Sequence, residues 1–252
     1  MNIEASDVIA IGAAVLAIWG QLRAARFASE LERLRLAEQR RFDKESTVAR
    51  YREPLAHAAY DLQSRIYNIL QRNFLQIYLT KGDDRERGYA INNTVFVLAQ
   101  YFAWTEIVRS DIQFIDLGED EPTRKLRSLQ DTIYAVLQND RLDRSLRVFA
   151  GEQRAIGERL ITRNHERVDS MGYGAFLDQL PSGKDTLLDA LRDDVVRLAG
   201  NAEVARPRLA ALQHALIDLL DFLDPRGIRF PLDRRLKVPA KSGLHGEVID
   251  TT

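Results

Sequence analysis

The sequence predicts an all-α protein, in which an N-terminal single transmembrane helix and a stalk precede an antiparallel helical bundle. Three observations predict this fold class. Residues 8–22 are apolar apart from Gln21. Over most of the remaining chain, apolar residues recur every three or four positions, which is the period of a helix that buries one face. No stretch of more than four residues alternates between apolar and polar side chains as a surface strand does.

Residues 1–23 are the predicted transmembrane anchor. At about 1.5 Å per residue, a helix over residues 8–22 covers roughly 22 Å of a hydrocarbon core that is about 30 Å thick. The span is sufficient if the flanking Arg23 and Arg26 extend to the headgroups. Trp19 is then expected at the membrane interface, where its amphipathic ring is favoured. A buried core helix or a helix lying in the interface is the alternative for so short an apolar run.

The charges on either side of the apolar run predict whether it is cleaved and how it is oriented in the membrane. A cleaved signal peptide begins with basic residues, whereas the charged residues before this run are the acids Glu4 and Asp7, so we expect the anchor to be retained. Residues 23–50 carry eight bases against five acids, and basic flanks stay on the cytoplasmic side. We therefore expect the N-terminus outside and the C-terminal domain in the cytoplasm.

Residues 24–52 are predicted to form a charged stalk helix with Phe27, Leu31 and Leu34 on one face. Glu38 and Arg41 occupy the next positions of the same spacing, so this apolar seam lasts about two turns and is too short for a stable coiled coil. We expect weak pairing with a neighbouring chain, or contact between the stalk's bases and anionic headgroups.

Residues 53–225 are predicted to form the cytosolic bundle. Pro54 is interpreted as a kink or a new helix start, because proline lacks the N–H that the preceding turn needs. Two long helices joined by a short polar turn are expected to pack antiparallel, and the second of them to be the central helix. The apolar stripes predict core helices over residues 55–77, 91–115, 126–137, 142–160, 188–200 and 207–223.

Residues 226–252 are predicted to be an extended or disordered basic tail. The segment has little apolar periodicity, and residues 226–241 carry six bases and one acid. The chain as a whole has a formal net charge of −1, which argues against nucleic acid as a partner. It contains no cysteine, which excludes disulfides, thiolate zinc sites and thiol catalysis.

The densest polar group of the chain, residues 151–159, is the candidate ligand site. This group includes Gly151 and Gly157, and a glycine allows a ligand or another backbone to approach closely. Arg154 and Glu158 stand one helical turn apart, so the alternative is a surface ion pair that contributes about 0.2–0.5 kcal/mol. The candidate ligand-binding residues are Glu152, Arg154, Glu158 and Arg159.

Other polar groups do not support a catalytic or metal site. His214 shares a helix face with Asp218 and Asp221, but the chain has no Glu-x-x-His motif, and we predict no metal and no cofactor. His165 lies next to Glu166 near a predicted helix end, where polar clusters are common, so we assign no catalytic residue. Aromatic residues on the two long helices are expected to form core or to line a ligand cavity.

These observations favour a single-pass membrane-anchored interaction or scaffold module. The expected partners are the lipid bilayer and either another protein or a second copy of the chain. The alternative is a small-ligand-binding protein or an enzyme that uses residues 152–158. A pore assembled from several anchors is a third hypothesis, for which Gln21 is the one polar residue available within the apolar run.

Overall fold

The computed structural model describes the backbone of residues 5–114, 121–164, 167–180 and 186–241. Side chains are described for residues 19, 21, 23, 25–36 and 38, and from residue 51 onwards within those ranges except 111–114, 164 and 167. The described residues are predominantly helical, so the predicted all-α class is confirmed. In chain order the elements are α1 Ala5–Arg72, α2 Phe74–Lys81, α3 Asp84–Phe114, α4 Glu121–Gln138, α5 Ala150–Leu160, β1 Ile161–Asn164, β2 Arg167–Ser170, α6 Tyr173–Gln179 and α7 Thr186–Leu223.

The chain divides into two compact units, Met1–Ala49 and Arg50–Thr252. In the first unit, α1 exposes several large apolar side chains. Among the residues that the structure describes, no helix is both long and apolar enough to cross a membrane. Within the predicted anchor only the side chains of Trp19, Gln21 and Arg23 are described, so this prediction falls mostly outside the described residues. Among the side chains of this unit that the structure describes, the exposed large apolar ones are Trp19, Phe27, Leu31, Leu34 and Leu36.

The first predicted core helix begins and ends differently from the prediction. Pro54 does not start a new helix but lies inside α1. Proline lacks the N–H that a helical hydrogen bond at this position needs, but the nearby Tyr51 and Leu55 are buried and hold the helix against the core. The helix then stops at Asn73, whose backbone is left-handed with φ 50° and ψ 36°. Asparagine tolerates this conformation better than most residues do, so one predicted helix becomes α1 and α2.

Helix α3 is the central helix of the second unit, as predicted. It packs against α2, α5, α6, α7 and β2. Its closest neighbour is α5, because a Cβ atom built on Gly157 would lie 2.7 Å from the carbonyl carbon and oxygen of Phe102. Gly157 therefore allows two helix backbones to touch, whereas Gly151 has open space around it.

A short β-hairpin follows α5 directly. Strands β1 and β2 pair antiparallel, with Ile161 opposite Ser170 and Asn164 opposite Arg167. Each strand has four residues, below the length at which alternation would predict it. His165 and Glu166, which the sequence analysis weighed as acid–base groups, lie outside the described residues.

The two last predicted helices are joined across a kink in α7. It is irregular at Asn201, where φ is −127° and ψ is 18° and where the prediction placed the break between two helices. Seven residues on, Arg208 is 1% exposed. Its guanidinium donates to the carbonyls of Val136, Leu137, Asn139 and Asp143.

The Arg208 contacts explain why residues 139–149 are not helical, although the sequence predicted a helix over 142–160. An arginine side chain offers five N–H donors in a planar fork, enough to satisfy several carbonyls that would otherwise be buried without partners. Leu146 adopts φ 55° within this segment and is buried. The irregular connection is therefore held by a buried side chain as well as by a few hydrogen bonds of its own backbone.

Residues 226–241 contain no helix or strand apart from a 3-10 turn at Leu232–Arg234, but they pack on the bundle. Phe230 and Val238 are buried. The Phe230 ring lies 4.7 Å from that of His57 and 4.8 Å from that of Tyr60. Gln213 donates to the Leu236 carbonyl at 2.8 Å, so the side chains of α7 hold this segment in place.

Asp224 and Arg235 form the charged anchor of that segment. The Nη2 of Arg235 donates to Asp224 at 2.8 Å. The backbone N–H groups of Ile228, Arg229 and Phe230 donate to the same carboxylate. Burial acts to raise the pKa of Asp224, but these donors and the charge of Arg235 outweigh it and lower the pKa below 3.8.

We expect Gly157→Ala to destabilise the bundle by about 1–3 kcal/mol, because the added methyl group collides with the backbone of Phe102. The measurement is the free energy of unfolding from a denaturant titration followed by circular dichroism. Gly151→Ala is the matched control on the same helix. It should leave stability unchanged or raise it by up to about 1 kcal/mol, and equal effects of the two substitutions would contradict the close approach.

We expect Asp224→Asn to lower the free energy of unfolding at pH 7 by about 1.5–3 kcal/mol, the range for hydrogen bonds to a charged group. A carboxyl with a lowered folded pKa stabilises the fold above its unfolded pKa, and that contribution is lost as pH falls through the folded pKa. The difference between wild type and variant should therefore shrink from pH 7 towards pH 3 or below. Asp233→Asn, an exposed aspartate of the same segment, is the control, and a pH-independent difference for Asp224→Asn would refute the assignment.

Candidate ligand site between helices α3, α4 and α5

A cavity of about 680 Å³ lies where α3, α4 and α5 meet. Its lining is polar and rich in arginine. Helix α3 contributes Arg109, helix α4 contributes Arg127, and helix α5 contributes Arg154. Asp131 is the one carboxylate of the lining among the residues that the structure describes.

The sequence of α4 explains why one of its faces is polar inside the domain. Leu126, Ile133 and Leu137 are buried on the core side. The positions between them place polar side chains on a second face, because residues three and four apart in a helix are neighbours. The members of this second face that line the cavity are Arg127, Gln130, Asp131, Tyr134 and Gln138.

Two of these polar groups are buried without a hydrogen-bond partner. Gln130 is 6% exposed, and its Nε2 finds no acceptor in the described part of the chain. The hydroxyl of Tyr134 is also buried without a partner there. Buried polar atoms are nearly always paired in folded proteins, so two such donors in one cavity are unusual.

The phenol of Tyr134 keeps its proton at neutral pH and is a hydrogen-bond donor. Burial raises the pKa of its phenol to about 12, and the negative charge of Glu106 acts in the same direction. Arg154 and Arg109 oppose this shift, which places both arginines close enough to act on the phenol. The hydroxyl therefore keeps its proton in a residue that lines the cavity.

Glu106 and Arg109 form an ion pair at the α3 side of the cavity. Glu106 is 3% exposed, and the Nε of Arg109 donates to its Oε2 at 2.8 Å, with a second contact between Nη2 and Oε1. The hydrogen bonds to Glu106 raise the pKa of Arg109. The Glu106–Arg109 pair is neutral overall. The other charged residues of the lining are two arginines, Arg127 and Arg154, and one carboxylate, Asp131.

The structure places one of the four predicted ligand-binding residues, Arg154, at this cavity. Glu152 instead accepts the backbone N–H of Phe149 at 2.8 Å and caps the start of α5. Arg159 donates to the carbonyl of Ala155 at 3.1 Å, within its own helix. Glu158 is exposed and lies outside the lining, although its charge contributes to the raised pKa of Arg109. The described residues include no ion pair between Arg154 and Glu158.

Sequence reasoning missed the residues from the other two helices. Arg109, Gln130 and Tyr134 are separated from Arg154 by 20 residues or more in the sequence. The polar row of α4 was the available signal, but the same row is typical of a helix face in water. Only the packing of α3 and α5 on both sides of that row distinguishes a cavity from a solvated surface.

The three residues that the sequence analysis weighed as a metal site, His214, Asp218 and Asp221, have partners within the fold. The ring of His214 hydrogen-bonds with the carbonyl of Val238 at 2.7 Å. Asp218 pairs with Lys237, and Asp221 pairs with Arg235. No group of three or more metal-ligating side chains occurs among the described residues.

The aromatic residues of α3 divide between core and a second cavity. Tyr101 and Phe102 are each 1% exposed and belong to the core. Tyr89 lines a cavity of about 510 Å³ together with Tyr78 of α2 and Tyr173 of α6. Of the two predicted roles for these aromatic residues, Tyr101 and Phe102 have the core role and Tyr89 has the cavity-lining role.

Two of the three predicted membrane-interface residues contact each other. The guanidinium of Arg23 lies 4.7 Å from the centre of the Trp19 ring, a cation–π distance. Trp19 is 58% exposed, and Arg26 is exposed as well. The position of these three residues at a membrane interface stays a prediction.

Comparisons with protein-family models, with curated proteins and with solved structures each give no match for this chain. No relative therefore supplies a function, and the residues of the chain itself are the basis for inferring one.

Proposed function

We propose that the protein is a membrane-anchored helical interaction module, tethered by residues 1–23 and paired with a second copy of itself through the exposed face of α1. The observation that carries the proposal is the exposure of Phe27, Leu31 and Leu34, which are 70%, 41% and 66% exposed. Large apolar side chains grouped on one helix face are characteristic of an interaction surface.

The spacing of these residues suits a parallel pair of helices. Phe27, Leu31 and Leu34 follow one another at intervals of four and three, which corresponds to the d, a and d positions of a heptad. In that register Glu30 occupies position g and Arg35 occupies the next position e. A parallel pair brings position g of one helix beside position e of its partner five residues further on, so Glu30 faces Arg35 of the second copy with opposite charge.

Anchoring compensates for the short seam. Two turns of apolar contact are too few for a stable coiled coil in solution. Two chains inserted in one bilayer have the same orientation, which favours the parallel register, and their confinement raises the effective concentration of each helix for the other. The proposed anchor and the proposed pairing therefore depend on each other.

Deletion of residues 1–23 tests the tether. We expect the full-length chain to sediment with membranes and to resist alkaline extraction, because its apolar segment is inserted in lipid. The deletion variant should move to the soluble fraction. Retention of the deletion variant on membranes would assign attachment to the basic stalk or the basic residues 226–241 instead.

Engineered disulfides test the pairing, and the absence of native cysteine makes the result unambiguous. We expect Leu31→Cys to form a covalent dimer in membranes under mild oxidation, because residues at core positions of a parallel pair come within disulfide distance. Ser29→Cys is the matched control, since position f points away from the partner. Equal cross-linking at both positions would contradict the proposed register.

A charge exchange tests the partner contact within the same assay. On the Leu31→Cys background, Glu30→Arg should reduce cross-linking because it places like charges opposite each other. The double change Glu30→Arg with Arg35→Glu should restore it. A double variant as weak as the single one would show that these two residues do not meet across the pair.

A further inference from the structure

The cavity between α3, α4 and α5 combines features of a binding site that the proposed tether does not use. We propose that it binds a small organic anion through phosphate or carboxylate oxygens, with Arg127 and Arg154 supplying charge and Gln130 and Tyr134 supplying buried donors. This site is independent of the first unit, because its whole lining belongs to residues 105–154.

The charge of the cavity selects an anion. Glu106 and Arg109 neutralise each other in an ion pair. Neither Arg127 nor Arg154 has an ion-pair partner in the described part of the chain, and Asp131 is the one carboxylate of the lining there. Two arginines against one aspartate leave the cavity cationic, and a guanidinium fork matches the paired oxygens of a carboxylate or a phosphate.

The buried donors give the site its geometry. The Nε2 of Gln130 and the hydroxyl of Tyr134 are both shielded from water, and neither has an acceptor among the described residues. A buried donor without an acceptor is unfavourable, so an oxygen atom of a ligand that accepts from both relieves a cost that the empty site carries. Because the phenol of Tyr134 stays protonated at neutral pH, it donates under the same conditions in which a phosphate or carboxylate is charged.

The size of the cavity indicates that the anion carries an organic group. At about 680 Å³ it lies within the range of roughly 300–1,000 Å³ that small-molecule sites occupy, and it is far larger than an inorganic phosphate needs. The side chain of Ala150 and the ring of Tyr134 also line it and offer apolar surface. A phosphate ester or a carboxylic acid of metabolite size meets both requirements.

Calorimetric titration of the full-length chain in a nonionic detergent tests the proposal. The probes are glycerol 3-phosphate for the phosphate class, citrate for the carboxylate class, and glycerol as the neutral control. We expect at least one anion to bind with a Kd of about 1 mM or tighter, binding to weaken as salt is raised, and glycerol not to bind. Binding of one anion alone identifies which oxyanion the site recognises. Equal binding of glycerol, or no binding of either anion at about 10 mM, would overturn the proposal.

Substitutions of exposed cavity residues locate the binding. Arg154→Ala and Arg127→Ala should each weaken the affinity for the anion roughly 10-fold to 100-fold, the effect of losing a charge-assisted hydrogen bond. Arg159→Ala is the matched control on α5, because Arg159 bonds within its own helix and lies outside the lining. An equal loss with Arg159→Ala would show that the anion responds only to the overall charge of the domain.

Two further variants have effects that a structural role alone would not produce. Asp131→Asn removes the one carboxylate of the described lining and should tighten anion binding several-fold, by removing a like charge. Tyr134→Phe should weaken binding while the melting temperature of the unliganded protein stays the same or rises, because it deletes only a donor that has no partner. Unchanged affinity in both variants would refute the assignment of these residues to the site.

Discussion

The close approach of α5 to α3 at Gly157 is the constraint on which the arrangement of the second unit depends. Because residue 157 has no side chain, the backbone of α5 touches the backbone of Phe102. This contact sets the depth at which α5 lies against the central helix. It brings Arg154 near Tyr134, whose row of polar residues on α4 would otherwise face water. A single glycine therefore allows three helix surfaces to line one cavity.

Buried arginines perform a second task in this fold, the support of irregular backbone. Arg208 donates to two carbonyls in the last turn of α4 and to two in the connection between α4 and α5. Arg235 similarly bonds the carbonyl of Phe230 as well as the carboxylates of Asp221 in α7 and of Asp224, which follows that helix. In both places a long planar donor replaces the hydrogen bonds that a helix or strand would provide internally. The bundle thus includes two non-repetitive segments within its packed structure, and two buried arginines satisfy several of their polar atoms.

Sequence patterns predicted the helices, whose apolar residues are periodic. They missed the irregular segments, whose structure depends on single contacts with residues far away in the sequence. The apolar stripes located the helices of the bundle, and α3 is the central helix that its stripe indicated, because burial of one face imposes the period directly. Asn73 broke a predicted helix without interrupting its apolar stripe. Residues 139–149 carry apolar residues at helical spacing but yield to Arg208, more than sixty positions away.

The same limit applies to the candidate site. Arg154 was identifiable because polar residues and glycines are dense around it, and Gly157 was correctly connected with the approach of another backbone. The partners of Arg154 at the cavity come from α3 and α4, and no local pattern shows that their polar side chains converge. Glu152 shares that dense stretch but caps a helix start, a role that spacing alone does not separate from ligand binding.

The packing of the C-terminal segment against α1 has a consequence for the order of folding during synthesis. The side chain of Gln63 donates to the carbonyl of Arg234, 171 residues further along the chain, and the nearby ring of Phe230 lies against Tyr60. Translation is vectorial, so this face of α1 leaves the ribosome long before the residues that cover it. Contacts of such sequence separation also form late, since closing a long loop has an entropic cost that local helix formation does not. The nascent bundle therefore exposes apolar surface until nearly the whole chain has emerged, an interval in which chaperones have access to it.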